Sequence, residues 1–394
     1  PASAAVAGFF KTLQNENPKF KCRVVEFLEE EKMAAQLVSE LKHQQTEDLE
    51  IRYEQGNRMV RRLEQTDESA ADNKVYLKHG VYLITGGAGG LGRLLAAYLA
   101  QNYEADVIVT GRTDVEDKRL IELNELCKRY PNILYRKADI SNPEETKKLI
   151  KDIKSEFSGI NGVFHAAGLY KNGFILKKDR EEFEATLLPK VDGVVNLDEC
   201  LKEEKLDFFA IFSSLAGVSG KIGQSDYTYA NAFQDHYAEY RENLRSRGER
   251  FGHTVSIDWP LWEMGGMTLS EEEQKQLLKE GGVKPLPTAE GLSCIEKAIQ
   301  SENTQIAITY AAKDILTASP DSGKADENIT QAGSINNNRR EVTGADETEA
   351  EAIEPEIEIN QVKLLKHTKL YVKQLISKGT GMAPDKIEDD VNLD

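Results

Sequence analysis

The sequence predicts an α/β fold, a doubly wound parallel sheet of about seven strands, with a smaller N-terminal subdomain beside it. Three observations carry this. Short β-branched runs alternate with amphipathic stretches between about residues 79 and 312, the runs are apolar without interruption, and a glycine-rich turn follows the first of them. Alternation of this kind reads as βαβ units, and continuous apolarity marks strands covered on both faces.

In order, the expected strands are VYLIT (81–85), DVIVT (106–110), ILYRK (133–137), GVFHA (162–166), DFFAIFS (207–213), TVSIDW (254–259) and IAITY (306–310). A helix over Leu91–Gln101 follows the first. Residues 1–78 hold apolar groups at Val24–Leu28, Leu37–Leu41 and Met59–Leu63 among many charges, too few for a large core, so this zone is expected to lean on its neighbour. Residues 79–317 form the expected main domain. Residues 318–356 are poor in large apolar side chains and rich in acids towards their end; such a composition cannot offset the entropy of ordering, which predicts a disordered linker. Residues 357–394 return to a helical pattern, VKLLKHTKLYVKQLIS.

Charge narrows the function classes. Fifty Lys and Arg against 67 Asp and Glu leave a net charge of −17, which repels phosphate backbones and anionic lipid, so neither nucleic acid nor membrane is expected as the main partner. No apolar stretch of about 18 residues is present to span a bilayer. Cys22, Cys127, Cys200 and Cys294 stand singly without metal-ligand spacing, predicting reduced thiols, a cytoplasmic protein and no metal site. The start, PASAAVAGFF, lacks the basic region of an export signal.

The chemistry begins at Thr85-Gly86-Gly87-Ala88-Gly89-Gly90-Leu91-Gly92, between the first strand and its helix. Glycines let the chain turn sharply and let a pyrophosphate approach the helix N-terminus, where free amides and the macrodipole favour negative charge: a dinucleotide-binding (Rossmann) turn. No Lys-Ser or Lys-Thr closes the loop, which excludes a Walker A site. Arg112, at the end of the second strand, stands where the adenosine ribose would lie, and a guanidinium there favours a 2′-phosphate, hence NADPH. Asp114, two residues on, leaves a solvated surface role open for this Arg.

Ser214 closes the fifth strand in IFSSLAG, Tyr227 follows thirteen residues later, and Asn231 lies one helical turn beyond. This spacing resembles the short-chain dehydrogenase/reductase active site, in which a Tyr hydroxyl held by a Ser protonates a carbonyl oxygen as a nicotinamide delivers hydride. A nearby cation must then lower the phenol's pKa of about 10. In ordinary members a Lys occupies the fourth position after the Tyr; here that position is Asn231, and Lys190 in ATLLPKVDG lies 24 residues before Ser214. That exchange resembles the ketoreductase domains of polyketide synthases and animal-type fatty acid synthases. GVYLITGGAGGLG, IVTGR, ADIS, HAAG, PKVDG, FSSLAG, GQSDYTYANAF and SIDWPLW follow the ketoreductase order without interruption. SIDWPLW and the GGM segment at 265–267 are similar to the trans-acyltransferase class of synthase, of a Bacillus type such as that making bacillaene.

The resemblance implies NADPH-dependent reduction of a ketone on an acyl chain carried by a phosphopantetheinyl acyl carrier protein, within a multidomain synthase. Tyr227 would be the acid, Ser214 would orient the carbonyl, Lys190 would lower the Tyr pKa and hold the nicotinamide ribose, and Asn231 would support Lys190 and the proton relay. Asp139 and Ile140 would face the adenine, Ala166, Ala167 and Gly168 the nicotinamide ribose, and Pro260 the carboxamide. Residues 1–78 would belong to the structural subdomain and 357–394 to the start of an acyl carrier domain. Met264–Leu278 would form a lid, with Trp262, Met264 and Met267 among the substrate contacts. Other substrate contacts would be Tyr170 and Asn172, which replace a Leu-Asp-Asp stereochemical marker, Ser219, eight residues before Tyr227 where the opposite type has Trp, and Gln224. Those positions lean towards the L-hydroxyl product and an unbranched α-carbon. Two other readings keep the fold: a cofactor-binding scaffold domain without turnover, and a free-standing sugar or alcohol dehydrogenase.

Overall fold

The computed structural model describes residues 1–29, 32–42, 48–66, 75–112, 118–266, 284–310, 333–336 and 339–341. All lie within the compact unit Pro1–Val342; a second unit, Thr343–Asp394, falls outside the described residues, and with it the expected carrier fragment.

The seven expected strands are present: β5 (Val81–Thr85), β6 (Asp106–Gly111), β7 (Ile133–Lys137), β8 (Gly162–His165), β9 (Phe208–Ser214), β10 (His253–Trp259) and β11 (Gln305–Thr309). They pair in parallel in the order β11-β10-β9-β8-β5-β6-β7. The order reverses between β5 and β8, and such a switch point opens a crevice at the carboxyl ends of the strands. The helices α3 (Gly90–Tyr103), α4 (Lys118–Arg129), α5 (Pro143–Glu156), α6 (Arg180–Lys190), α7 (Asp192–Cys200), α8 (Leu215–Ser219) and α9 (Ser225–Ser246), with a last helix at Thr288–Gln300, flank the sheet.

Two apolar layers result. One packs Tyr82, Ile84, Val107, Val109, Phe164 and Phe208 against α3 and the last helix; the other packs Leu83, Ile108, Val163, Phe209 and Ile211 against α5, α7 and α9. Successive strand residues thus face opposite layers, as the period of two requires. Local signals agree: Asn142 caps α5 by accepting from the amides of Glu144 and Glu145, and Pro143 opens the helix where its missing N–H costs nothing.

The N-terminal zone does lean on its neighbour. It comprises α1 (Ala2–Glu16), β1 (Val24–Phe27), α2 (Met33–Lys42), β2 (Glu50–Glu54), β3 (Asn57–Arg61) and β4 (Glu64–Thr66). A Cβ on Gly8 of α1 would stand 2.4 Å from the Thr228 carbonyl of α9, and the hydroxyls of Thr12 and Thr228 meet at 2.9 Å, so α1 lies directly on the helix that carries Tyr227. Within the segment read as an unstructured linker, the structure has two short strands, β12 (Gly333–Asn336) and β13 (Arg339–Glu341). The first pairs antiparallel with β11 and β4, extending the main sheet to nine strands, and the second pairs with β3 in a separate four-stranded sheet, β1-β2-β3-β13. Edge pairing needs only backbone amides and carbonyls, which composition does not register. The remainder of 318–356 lies outside the described residues.

Candidate active site

At the carboxyl end of β5 the chain turns through Gly86 with φ of 67°, and a Cβ there would approach the Ala166 carbonyl oxygen to 2.7 Å, so only glycine fits. The turn delivers the amino end of α3, whose first turn carries no acid, to a cavity of about 420 Å³. The cavity is lined by Gly86, Ala88 and Gly89 of the turn, Thr110–Arg112 at the end of β6, Ala138–Ile140 after β7, and Ala166–Gly168 after β8. Arg119, Leu169 and Pro189 complete it. Most of the expected cofactor residues therefore converge. Thr85 is buried instead, its hydroxyl 2.9 Å from Nδ1 of His165 and accepting from the Ala167 amide, and Gly87 and Gly92 pack the turn against Val109 and each other.

Arg112 and Asp139 meet at 3.6 Å at one end of the cavity. Asp139 also accepts from the amide and hydroxyl of Ser141, so its carboxylate is a fixed acceptor beside the guanidinium. Arg119, which the sequence reading missed, adds a second guanidinium to the lining. It stands in the first turn of the helix after β6, a place that could have signalled it.

The expected tetrad assembles at the carboxyl ends of β9 and β8. Ser214 ends β9, Tyr227 and Asn231 occupy successive turns of α9, and Lys190 ends α6. The Lys190 ammonium lies 5.6 Å from the centre of the Tyr227 ring. Both side chains are buried, and burial favours the neutral form of each. The Lys190 pKa falls to about 7, burial outweighing attraction from Asp235 and Asp258. Burial raises the Tyr227 phenol, while hydrogen bonding with Ser214 and Asn231 pulls it back.

Two details depart from expectation. Nζ of Lys190 donates to the Phe212 carbonyl and to Oε1 of Gln234, both at 2.9 Å, whereas Nδ2 of Asn231 donates to the Tyr227 carbonyl at 2.7 Å. Asn231 thus braces the Tyr227 turn, and Gln234, seven residues after Tyr227 and on its face of the helix, holds the lysine. The second is Asp226, which precedes Tyr227 and is fully buried. It accepts from Lys178 at 2.6 Å, from the Thr186 hydroxyl at 2.9 Å and from the Tyr227 amide at 2.8 Å. The loop after HAAG is thereby fastened to the start of α9.

Among the expected substrate residues, Tyr170 packs edge-on to the Tyr227 ring at 6.1 Å, and Asn172 accepts from Gln224 at 2.7 Å, bridging that loop to the cap of α9. Ser219 is exposed and its hydroxyl is turned back onto the Leu215 carbonyl of its own helix. Trp262 is a correction: it is buried, 4% exposed, against Trp259 and Gly291, part of the apolar layer under the last helix, because Gly291 leaves room for the indole. It presents no face to a substrate. Pro260 is half-buried after β10 and is not part of the cavity lining, Met264 is exposed, and Met267 with the expected lid beyond it lies outside the described residues.

A family model described as KR domain matches residues 80–264, and one described as beta-ketoacyl synthase-like, N-terminal, matches residues 1–44. A ketoreductase domain from the bacillaene assembly line is 39% identical, with a TM-score of 0.73 over 78% of this chain and 73% of that one. An N-terminal ketoreductase from the macrolactin assembly line is 36% identical, with a TM-score of 0.67 over 80% and 61%. Polyketide synthase PksN of Bacillus subtilis (strain 168) is 37% identical over 307 residues, which are 77% of this chain and 6% of that synthase. The chain therefore spans a small part of the length of such curated relatives.

Proposed function

This chain belongs to the ketoreductase domain family of polyketide synthases, and from that premise we propose that it reduces a ketone on a carrier-bound polyketide intermediate to a hydroxyl group, using NADPH. The observation that carries the reading is the Lys190 ammonium 5.6 Å from the Tyr227 ring, at the carboxyl end of the sheet where the glycine turn opens its cavity.

The residues fit a dinucleotide. The glycine cradle excludes side chains where a pyrophosphate would approach, the α3 amino end favours its charge, and Arg112 with Arg119 suits a 2′-phosphate. When bound, NADPH supplies the hydride. Tyr227 donates the proton to the developing alkoxide, Ser214 orients the carbonyl oxygen, and Lys190 lowers the cost of leaving a phenolate behind. Burial of Tyr227 and Lys190 excludes water, which strengthens their interactions.

The substrate arrives on a phosphopantetheinyl carrier, and the enzyme works among the other domains of a synthase, in the cytoplasm. On the same reading residues 1–78 belong to the structural subdomain, 318–356 connect, and 357–394 begin a carrier domain. The test is NADPH oxidation with β-keto and α-keto thioesters. Tyr227→Phe is expected to lower kcat at least about a hundredfold, the scale of a positioned acid. Retained turnover in that variant removes Tyr227 from its role, and tight NADPH binding without turnover in the parent favours a scaffold.

A further inference from the structure

The segment that joins Ser214 to Tyr227 is placed from outside. Gly220 and Gly223 both take positive φ, 73° and 77°, so its backbone has little preference of its own. Much of its anchoring comes from α1. Nζ of Lys11 donates to the Gly217 carbonyl at 3.4 Å, the Thr12 hydroxyl accepts from the Lys221 amide at 3.2 Å, and Nδ2 of Asn15 donates to the Ser219 carbonyl at 3.2 Å. A Cβ on Gly220 would stand 2.6 Å from the carbonyl carbon of Lys11, so the two backbones touch there. Lys11, Thr12, Asn15 and Glu16 recur at intervals of three and four along α1 and therefore share one face.

Glu16 ends that face and reaches a second loop. Its Oε1 accepts from the Gly223 amide at 2.9 Å and its Oε2 from the Ile175 amide at 3.0 Å. Ile175 belongs to the loop after β8, which packs Tyr170 against the Tyr227 ring. One carboxylate thus joins the two loops that touch the reacting residues, one running from Ser214 to Tyr227 and the other carrying Tyr170. The loops also meet each other, since the Gly173 amide donates to the Gly223 carbonyl at 2.9 Å and Gln224 donates to Asn172 at 2.7 Å. Those two bonds fix one loop relative to the other, whereas the Glu16 pair fixes both relative to α1, a helix seated on α9.

An acid at this position has no reason within its own helix. Glu16 is the last residue of α1, where the macrodipole disfavours negative charge. Two charge-assisted hydrogen bonds from backbone amides, each stronger than a neutral one, offset that cost.

We propose that Glu16 is a positioning residue for the reduction: by holding the 217–224 segment and the Tyr170 loop in one arrangement, it sets how the ketone lies against Ser214 and Tyr227, and with it the rate and the configuration of the hydroxyl formed. The proposal rests on the functional reading above, and it goes beyond that reading in giving the N-terminal zone a part in the chemistry.

Glu16→Gln tests it, because glutamine keeps the shape and one acceptor oxygen but turns an NH2 group towards the other amide. Amide hydrogen exchange, read by NMR, needs no turnover: Gly223 and Ile175 are expected to exchange at least about tenfold faster in the variant than in the parent, with the amides of β9 unchanged. With a β-keto thioester, kcat is expected to fall about ten- to a hundredfold, the scale of a small misplacement of reacting groups, with the Kd for NADPH within about twofold and a changed ratio of hydroxyl enantiomers. A contact that only stabilised the fold would lower kcat in proportion to the folded fraction and leave the enantiomer ratio where it was. That result overturns the proposal, and so does unchanged exchange at both amides. Should the variant not fold, exchange in the parent still decides, since amides held by Glu16 are protected there and free exchange at Gly223 and Ile175 overturns the proposal. A parent that protects both amides but reduces no ketone thioester refutes the functional reading and leaves the Glu16 clamp standing.

Discussion

Replacing Lys190 by Met should abolish the reaction, and the stability of the variant relative to the parent should depend on pH in a way the structure sets. The lysine pKa falls from 10.5 to about 7 on folding, so below pH 7 the fold bears the whole cost of a buried ammonium, roughly 5 kcal/mol. The folded pKa is depressed. Between pH 7 and 10.5 the unfolded chain therefore binds the proton and the folded one does not, and parental stability rises with pH across that window. From pH 6 to pH 9 the gain integrates to roughly 2 to 3 kcal/mol. Methionine fills the same volume without a charge, so Lys190→Met lacks this dependence, and its stability relative to the parent falls by that amount over the same interval. Urea unfolding of both proteins at pH 6 and pH 9 measures it, the difference between them cancelling the titrating groups that lie away from Lys190. A difference that stays constant within about 0.5 kcal/mol would mean that the ammonium is solvated in the folded protein, and the account of the site as dry would fail.

The remaining predictions concern cofactor choice, anchoring and packing. Arg112→Ala and Arg119→Ala should each lower kcat/KM for NADPH by ten- to a hundredfold while leaving that for NADH within about twofold, the scale of one charge-assisted hydrogen bond; equal losses with both would place the guanidinium elsewhere than on a 2′-phosphate. Lys178→Met strands Asp226, whose side chain is fully buried, and should cost about 3–5 kcal/mol in urea unfolding. A loss under 1 kcal/mol would show that Thr186 and the Tyr227 amide satisfy that carboxylate unaided. Trp262→Ala should cost about 3–5 kcal/mol with the thioester KM unchanged, since the indole fills the apolar layer and not the cleft. A tenfold rise in KM without loss of stability would restore it to the substrate path.

Sequence alone determined the parallel sheet and the glycine turn, and it picked out Ser214, Tyr227, Asn231 and Lys190 as candidate site residues. The sheet and the turn follow from local signals, β-branched runs and a turn that only glycine can make; the four residues follow from spacings along a strand end and one helix face together with a family resemblance, which alone pointed to Lys190. Seven strands fall within one or two residues of their expected bounds, because continuous burial on both faces leaves an apolar run few other structures to adopt. Tertiary structure decided what surrounds those residues. Gln234 holding Lys190, Asp226 fastened to Lys178, Asp258 beside Asp235, and Trp262 sealed under Gly291 are contacts between segments far apart in the chain. No spacing rule reports such contacts, since a buried polar side chain and an exposed one look alike in a sequence. Ionisation belongs to the same category. A lysine's charge in the interior depends on which dipoles and acids the fold brings within a few ångströms, and that information exists only once the chain has packed.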